Sequence, residues 1–171
     1  MPSVRELQAP LRAHYKSEPA TAMVVDRAHT AAHDPGDPFH ALVLAQGAAS
    51  PAIVATHRGH GGPHDAATPG DMLCAALCCC YELTARMVAN AMGLEIDTLE
   101  VRVEGDVDLR GSMAMPGVPV GFQAMRVRTK VTLRNGGPAE IARLLRLVEA
   151  CCVVGQTLRA GVPVEYLSAS N

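Results

Sequence analysis

A chain of 171 residues, 49% apolar and 19% charged, has enough material for a hydrophobic core, which argues against global disorder. Its formal charge of −2, with no basic block, provides no electrostatic footprint for nucleic acid. No run approaches the roughly eighteen apolar residues of a membrane span, and the charged N-terminus MPSVRELQAPLRAHYKSE lacks the apolar stretch of a secretory signal. The expected compartment is therefore the reducing cytoplasm, where six cysteines do not imply a disulfide scaffold.

In chain order, residues 3–16 read as a short helix, with Ser3 as N-cap and Glu6 as its capping-box partner. TAMVVDRAHTAA (21–32), DPFHALVLA (37–45) and PAIVATH (51–57) read as strands, the first two joined by the turn-rich AHDPGDP. A loop rich in glycine, histidine and proline follows, RGHGGPHDAATPG. It ends at a strong helix start: Thr68 as N-cap, Pro69 at the first position, and Asp71 complementing the dipole. Helix formers run to Met92, and Gly93 is the stop. The helix is apolar nearly all round from Met72 to Tyr81, which places it inside a fold.

LEVRVEGDVDL (99–109) alternates strictly and predicts a half-exposed antiparallel strand. VPVGFQAMRVRTKVTL (118–133) predicts another, with a phase slip near Ala124 that suggests a bulge. After NGGP, the spacing of Ile141, Leu144, Leu145 and Val148 predicts a helix leading into CCVVGQTLRAG. VPVEYLS (162–168) reads as a closing strand. Strands, a long helix, strands, helices and a strand make an α+β fold in a single domain, 1–171, without regular βαβ alternation.

Four cysteines fall in MLCAALCCCYELTARMVANAMG, residues 72–93, and three of them, Cys78, Cys79 and Cys80, are consecutive. Successive helical residues point about 100° apart, so the three thiols cannot share one site. Cys80 shares a face with Leu77, Thr84 and Met87; Cys79 lies with Met72, Ala75 and Leu83; Cys74 and Cys78 take a third face. Free cysteine also serves as a small buried hydrophobe, an alternative open for each of the six. Zinc is poorly matched, because the cysteines lack CxxC pairs and His57, His60 and His64 lie in a loop.

The stretch PGDMLCAALCCCYELTARMVANAMGLEIDTLEVRV resembles the signature of the OsmC/Ohr family of thiol peroxidases. CVVGQTLRAGVPV is similar to that family's second cysteine segment, and the element order agrees. The likeness runs over residues 51–168, whereas residues 1–50, the N-terminal helix and strands, carry little of it. The resemblance implies antiparallel sheets wrapped around long central helices in an interlocked homodimer. It implies that Cys80 is the peroxidatic thiol and Cys152 the resolving one. The implied substrate is an organic or lipid-like hydroperoxide and the implied reductant a dithiol, with no metal or organic cofactor.

In the family an arginine and an acidic residue support the reactive thiol. Here the acidic position holds Gly70; Asp71, next to it, is the candidate catalytic carboxylate that would hold the arginine, or else a plain N-terminal acid of the helix, and Arg27 and Arg58 are the candidate arginines. On this reading Cys74, Cys78, Cys79 and Cys151 serve as packing residues, with one of them as an alternative redox partner the second possibility. Two rivals are a non-enzymatic OsmC-like protein binding a thiol-reactive, metal or hydrophobic ligand in the same cleft, and a structural dimer with packed cysteines.

Overall fold

The computed structural model describes residues 2–31 and 34–168. Ala32 and His33, which the expected first strand and turn include, lie outside them. The elements are helix α1 (Val4–Ser17), strands β1 (Ala28–Ala31), β2 (His40–Ala45) and β3 (Ala52–Ala55), and the long helix α2 (Pro69–Ala91). Strand β4 (Ile96–Val107), the short helix α3 (Leu109–Ser112), strand β5 (Phe122–Leu133), and helices α4 (Pro138–Cys151) and α5 (Val153–Ala160) complete the chain. Helices and antiparallel sheets make the fold α+β.

These elements form two compact units, Met1–Ala75 with Arg102–Arg128 and Ala76–Val101 with Thr129–Asn171. Helix α2 and strands β4 and β5 contribute to both.

In the first unit β1, β2 and β3 form an antiparallel sheet in that order, with Ala28 opposite Ala45 and Leu42 opposite Ile53. Val54 and Ala55 of β3 are buried, as is Thr68. Helix α1 starts at the expected capping box: the Glu6 N–H donates to Ser3 Oγ, and the Ser3 N–H donates to the Glu6 carboxylate. Its apolar Leu7 and Leu11 remain exposed.

The second unit holds most of the core. Leu77, Tyr81, Thr84, Ala85 and Ala89 recur every three or four residues along α2 and form its buried stripe. Leu144 and Val148 of α4, one turn apart, have no exposed surface. Full burial of such a side chain contributes about 1.5–3 kcal/mol each. The β4–β5 pair continues here, with the Thr98 hydroxyl meeting that of Thr132 at 2.7 Å.

Helix α2 begins and ends where the sequence predicts. The Asp71 N–H donates to Thr68 Oγ1, and Thr68 returns its N–H and O–H to the Asp71 carboxylate, both at 2.8 Å. Gly93 turns left-handed at φ 72°, a conformation glycine adopts without a Cβ clash. By length and apolar composition alone, α2 could also cross a membrane; it carries the charged residues Asp71, Glu82 and Arg86.

Four expectations need correction. The strand expected over 21–32 is reduced to β1, because Pro19 opens a 3₁₀ turn to Ala22 and β2 ends at Ala45, opposite Ala28. Leu109 belongs to α3 rather than to β4: the Asp108 carboxylate accepts from the Arg110 N–H and starts the turn. β5 begins at Phe122, not at Val118, because Pro119 has no N–H to give and Gly121 is left-handed at φ 99°. Residues 162–168 form no strand; Val162, Val164, Tyr166 and Leu167 are exposed, with no partner strand among the described residues.

Candidate active site

The two cysteines separated by 72 positions meet in the second unit. Cys152 Sγ lies 3.5 Å from Cys80 Sγ, in the hydrogen-bonding sense that makes Cys152 the donor. Cys80 sits in mid α2, one residue before the buried Tyr81, and is half-buried. Cys152 is only 1% exposed.

Cys152 owes its position to a break between two helices. It is the last cap of α4, its N–H still donating to Val148 O at 2.9 Å, and the N-cap of α5. Its backbone is extended there (φ −70°, ψ 105°), and its sulfur accepts from the Gly155 N–H at 3.4 Å. A sulfur thus takes the place of the oxygen that usually satisfies an open helix N-terminus. Burial pushes the Cys152 thiol pKa up, and the Gly155 N–H pulls it back. Donation to Cys80 pushes it up again, since the bond favours the protonated form.

Tyr81 supports the same region. Its pKa is raised by burial, while a hydrogen bond with the Thr129 hydroxyl opposes that shift. The phenol therefore remains neutral beside the sulfur pair.

The other four cysteines do not join them. Cys78 Sγ donates to Val101 O at 3.2 Å, and burial raises its pKa. Burial also raises that of Cys74, with the Asp71 charge adding to the shift. Cys79 and Cys151 are exposed. Among the described residues, no group of three or more His, Cys, Asp and Glu side chains is arranged to hold a metal ion.

Asp71 lies in the first unit. Its carboxylate is engaged by Thr68, whose N–H and O–H lower its pKa, with His64 and His57 adding a smaller electrostatic effect. Arg27 and Arg58 are in the same unit: the Arg27 guanidinium donates to Val25 O at 3.3 Å, and Arg58 opens a 3₁₀ turn, Arg58–His60. Gly70 has Phe122 beside it, where a Cβ would stand 3.3 Å from the ring.

The histidine-rich loop is more ordered than its composition suggests. His57 Nδ1 accepts from the Gly59 N–H at 2.9 Å, and the His57 and His64 rings lie 4.5 Å apart. His60 Nε2 meets Ser112 Oγ at 2.6 Å. His64 is left-handed at φ 53°, and its buried Nδ1 has no partner among the described residues.

Two features escape sequence reasoning. His40 bridges Asp37 (2.7 Å) and Asp65 (3.0 Å), a contact 25 residues apart with no sequence signal. Gly155 serves the Cys152 sulfur, and here a signal exists: the two stand at N-cap to N3 spacing.

A model of the OsmC-like protein family matches residues 61–167. No curated protein matches the chain significantly. Among solved structures, the chain is similar to an OsmC-like protein from Mycoplasma pneumoniae (TM-score 0.64, 14% identity), covering 81% of this chain and 89% of that one. It is also similar to an organic hydroperoxide resistance protein, OsmC, from Legionella pneumophila (TM-score 0.60, 19% identity; 81% and 91% covered). A third is the organic hydroperoxide resistance protein OhrB of Bacillus subtilis (TM-score 0.53, 14% identity; 82% and 94% covered). At these identities the structural likeness is one of fold.

Proposed function

This chain belongs to the OsmC-like protein family, and from that premise we propose that it is a cysteine peroxidase for organic, lipid-like hydroperoxides, acting in the cytoplasm as an interlocked homodimer. The observation that carries the reading is the 3.5 Å approach of the Cys80 and Cys152 sulfurs, one half-buried and the other enclosed. The more accessible sulfur is suited to meet a peroxide and the enclosed one to resolve the product. Two solved relatives named for organic hydroperoxide resistance add support for the substrate class.

In the proposed cycle the Cys80 thiolate attacks the peroxide; an S–O bond forms, the O–O bond breaks, and the alkoxide leaves and is protonated to an alcohol. Cys80 is then a sulfenic acid. Cys152 sulfur attacks it, the S–S bond forms, and hydroxide leaves with the Cys152 proton as water. A dithiol opens the disulfide and is itself oxidised to a disulfide. Early resolution matters because further oxidation to a sulfinic acid is not reversed by thiols. The homodimer has support in the apolar residues α2 leaves exposed, Met72, Leu83 and Met87.

One observation favours the alternative, an OsmC-like protein that binds a ligand without turnover: Gly70 stands at the family's acidic position, and the neighbouring Asp71 is engaged in capping α2. Consumption of cumene hydroperoxide and of hydrogen peroxide, with a dithiol reductant, separates the two. Peroxidase function predicts faster turnover of the organic peroxide by wild type and its loss in both Cys80→Ser and Cys152→Ser. Absence of turnover by wild type would favour the alternative.

A further inference from the structure

We propose that opening the Cys80–Cys152 disulfide releases Cys152 as the leaving thiolate onto the backbone N–H of Gly155, so that the reductant's sulfur becomes bonded to Cys80. The inference rests on the peroxidase reading only for how the disulfide arises. Access sets the direction of attack: a thiolate must approach one sulfur in line with the S–S bond, and Cys152 is enclosed whereas Cys80 is half-buried. The incoming S–S bond forms at Cys80, the old one breaks, and its electron pair passes to Cys152 Sγ. The reductant's second thiol then attacks its own sulfur in the mixed disulfide, releasing Cys80. The dithiol's two protons end on the two cysteines.

Burial makes Cys152 a poor leaving group, since a thiol with a raised pKa departs slowly. Gly155 offsets that handicap. Its N–H points at the sulfur from 3.4 Å, and the Val154 N–H assists from the same open turn of α5. Glycine is disfavoured in helices relative to alanine, and Gly155 is not left-handed, so its backbone conformation does not require it. The space does: a Cβ there would stand 3.3 Å from Cys152 Sγ and 3.6 Å from Leu77 Cδ1, tighter to the sulfur than ordinary contact. Gly155 is thus a positioning residue for the resolving sulfur.

The test starts with the 171-residue protein oxidised in parallel by diamide and by cumene hydroperoxide. Each sample is treated with 2-mercaptoethanol, quenched in acid, alkylated with N-ethylmaleimide and mapped by peptide mass spectrometry. The expected product carries mercaptoethanol on Cys80 and maleimide on Cys152. Gly155→Pro, which lacks the N–H, should open about fivefold more slowly, as expected for losing one modest hydrogen bond. Gly155→Ala keeps the donor but crowds the Cys152 sulfur with a Cβ at 3.3 Å, so its rate should fall between the two. Mercaptoethanol on Cys152, equal labelling of both sulfurs, or a Gly155→Pro rate equal to wild type would overturn the proposal. A disulfide formed by diamide but not by the peroxide defeats the peroxidase reading alone, and the site of the mixed disulfide still decides this one. If neither oxidant forms the disulfide, both fail.

Discussion

Thr68 and Asp71 hold each other at the head of α2: the threonine gives its N–H and O–H to the carboxylate and takes back the Asp71 N–H. Thr68→Ala removes two of the three bonds and should destabilise the protein by about 1–2 kcal/mol in urea unfolding. Because the cap lowers the Asp71 pKa, its stabilisation is complete above the ordinary carboxylate range. It disappears as pH falls through the lowered folded value, so wild type and Asp71→Asn should converge in stability under acid. A difference that persists at low pH would contradict this role.

His40 predicts the opposite dependence. Asp65 and then Asp37 raise its pKa by hydrogen bonding to its two ring nitrogens. Its stabilising contribution is full below the ordinary histidine value and declines as pH rises through the folded one. Histidine NMR titration should place the His40 midpoint above the ordinary value, and Asp65→Asn should lower it. An unchanged midpoint in Asp65→Asn would rule out the bridge in solution.

The six thiols should separate by reactivity. Iodoacetamide at neutral pH should label Cys151, which is exposed and off the α2 face proposed for the homodimer, before Cys78 and Cys152. Cys78 is protected by burial and by its bond to Val101 O. Cys78→Ala should leave hydroperoxide turnover within about twofold of wild type, since a half-buried thiol bonded to Val101 O serves packing. Rapid labelling of Cys78 would show that it is not packed in this way.

Gly111 lies in the turn after β4, where a Cβ would fall 2.2 Å from Pro119 O, a backbone atom with little freedom to retreat. Gly111→Ala should destabilise by about 1–3 kcal/mol, the usual range for overpacking. Thermal or urea unfolding reads it directly; a neutral result would mean that the 119–121 segment moves freely.

Much of this was legible because its signals are local. Thr68, Pro69, Asp71 and Gly93 bound α2 through their own backbone chemistry, and Ser3 with Glu6 does the same for α1. Cys80 and Cys152 were singled out by family resemblance, since nothing in their spacing brings residues 72 positions apart together. Alternation misled at both ends of the chain: Met23–Val25 and Val162–Leu167 have strand composition, but a strand also requires a partner, and that depends on distant chain. At Leu109 the period of two continues in sequence after Asp108 has already turned the backbone. The His40 bridge was illegible because Asp65 reaches it from a loop whose course no local rule determines.

Peroxidase function stands on Cys80 and Cys152 acting as a redox pair. The most direct measurement adds one equivalent of cumene hydroperoxide to fully reduced protein at neutral pH, blocks free thiols, and maps the disulfides by mass spectrometry. A working pair yields a Cys80–Cys152 disulfide formed in step with the alcohol product, and a sulfenic acid trapped at Cys80 in Cys152→Ser. Unmodified Cys80 with the peroxide intact, or a disulfide joining other cysteines while these two remain free, would contradict it.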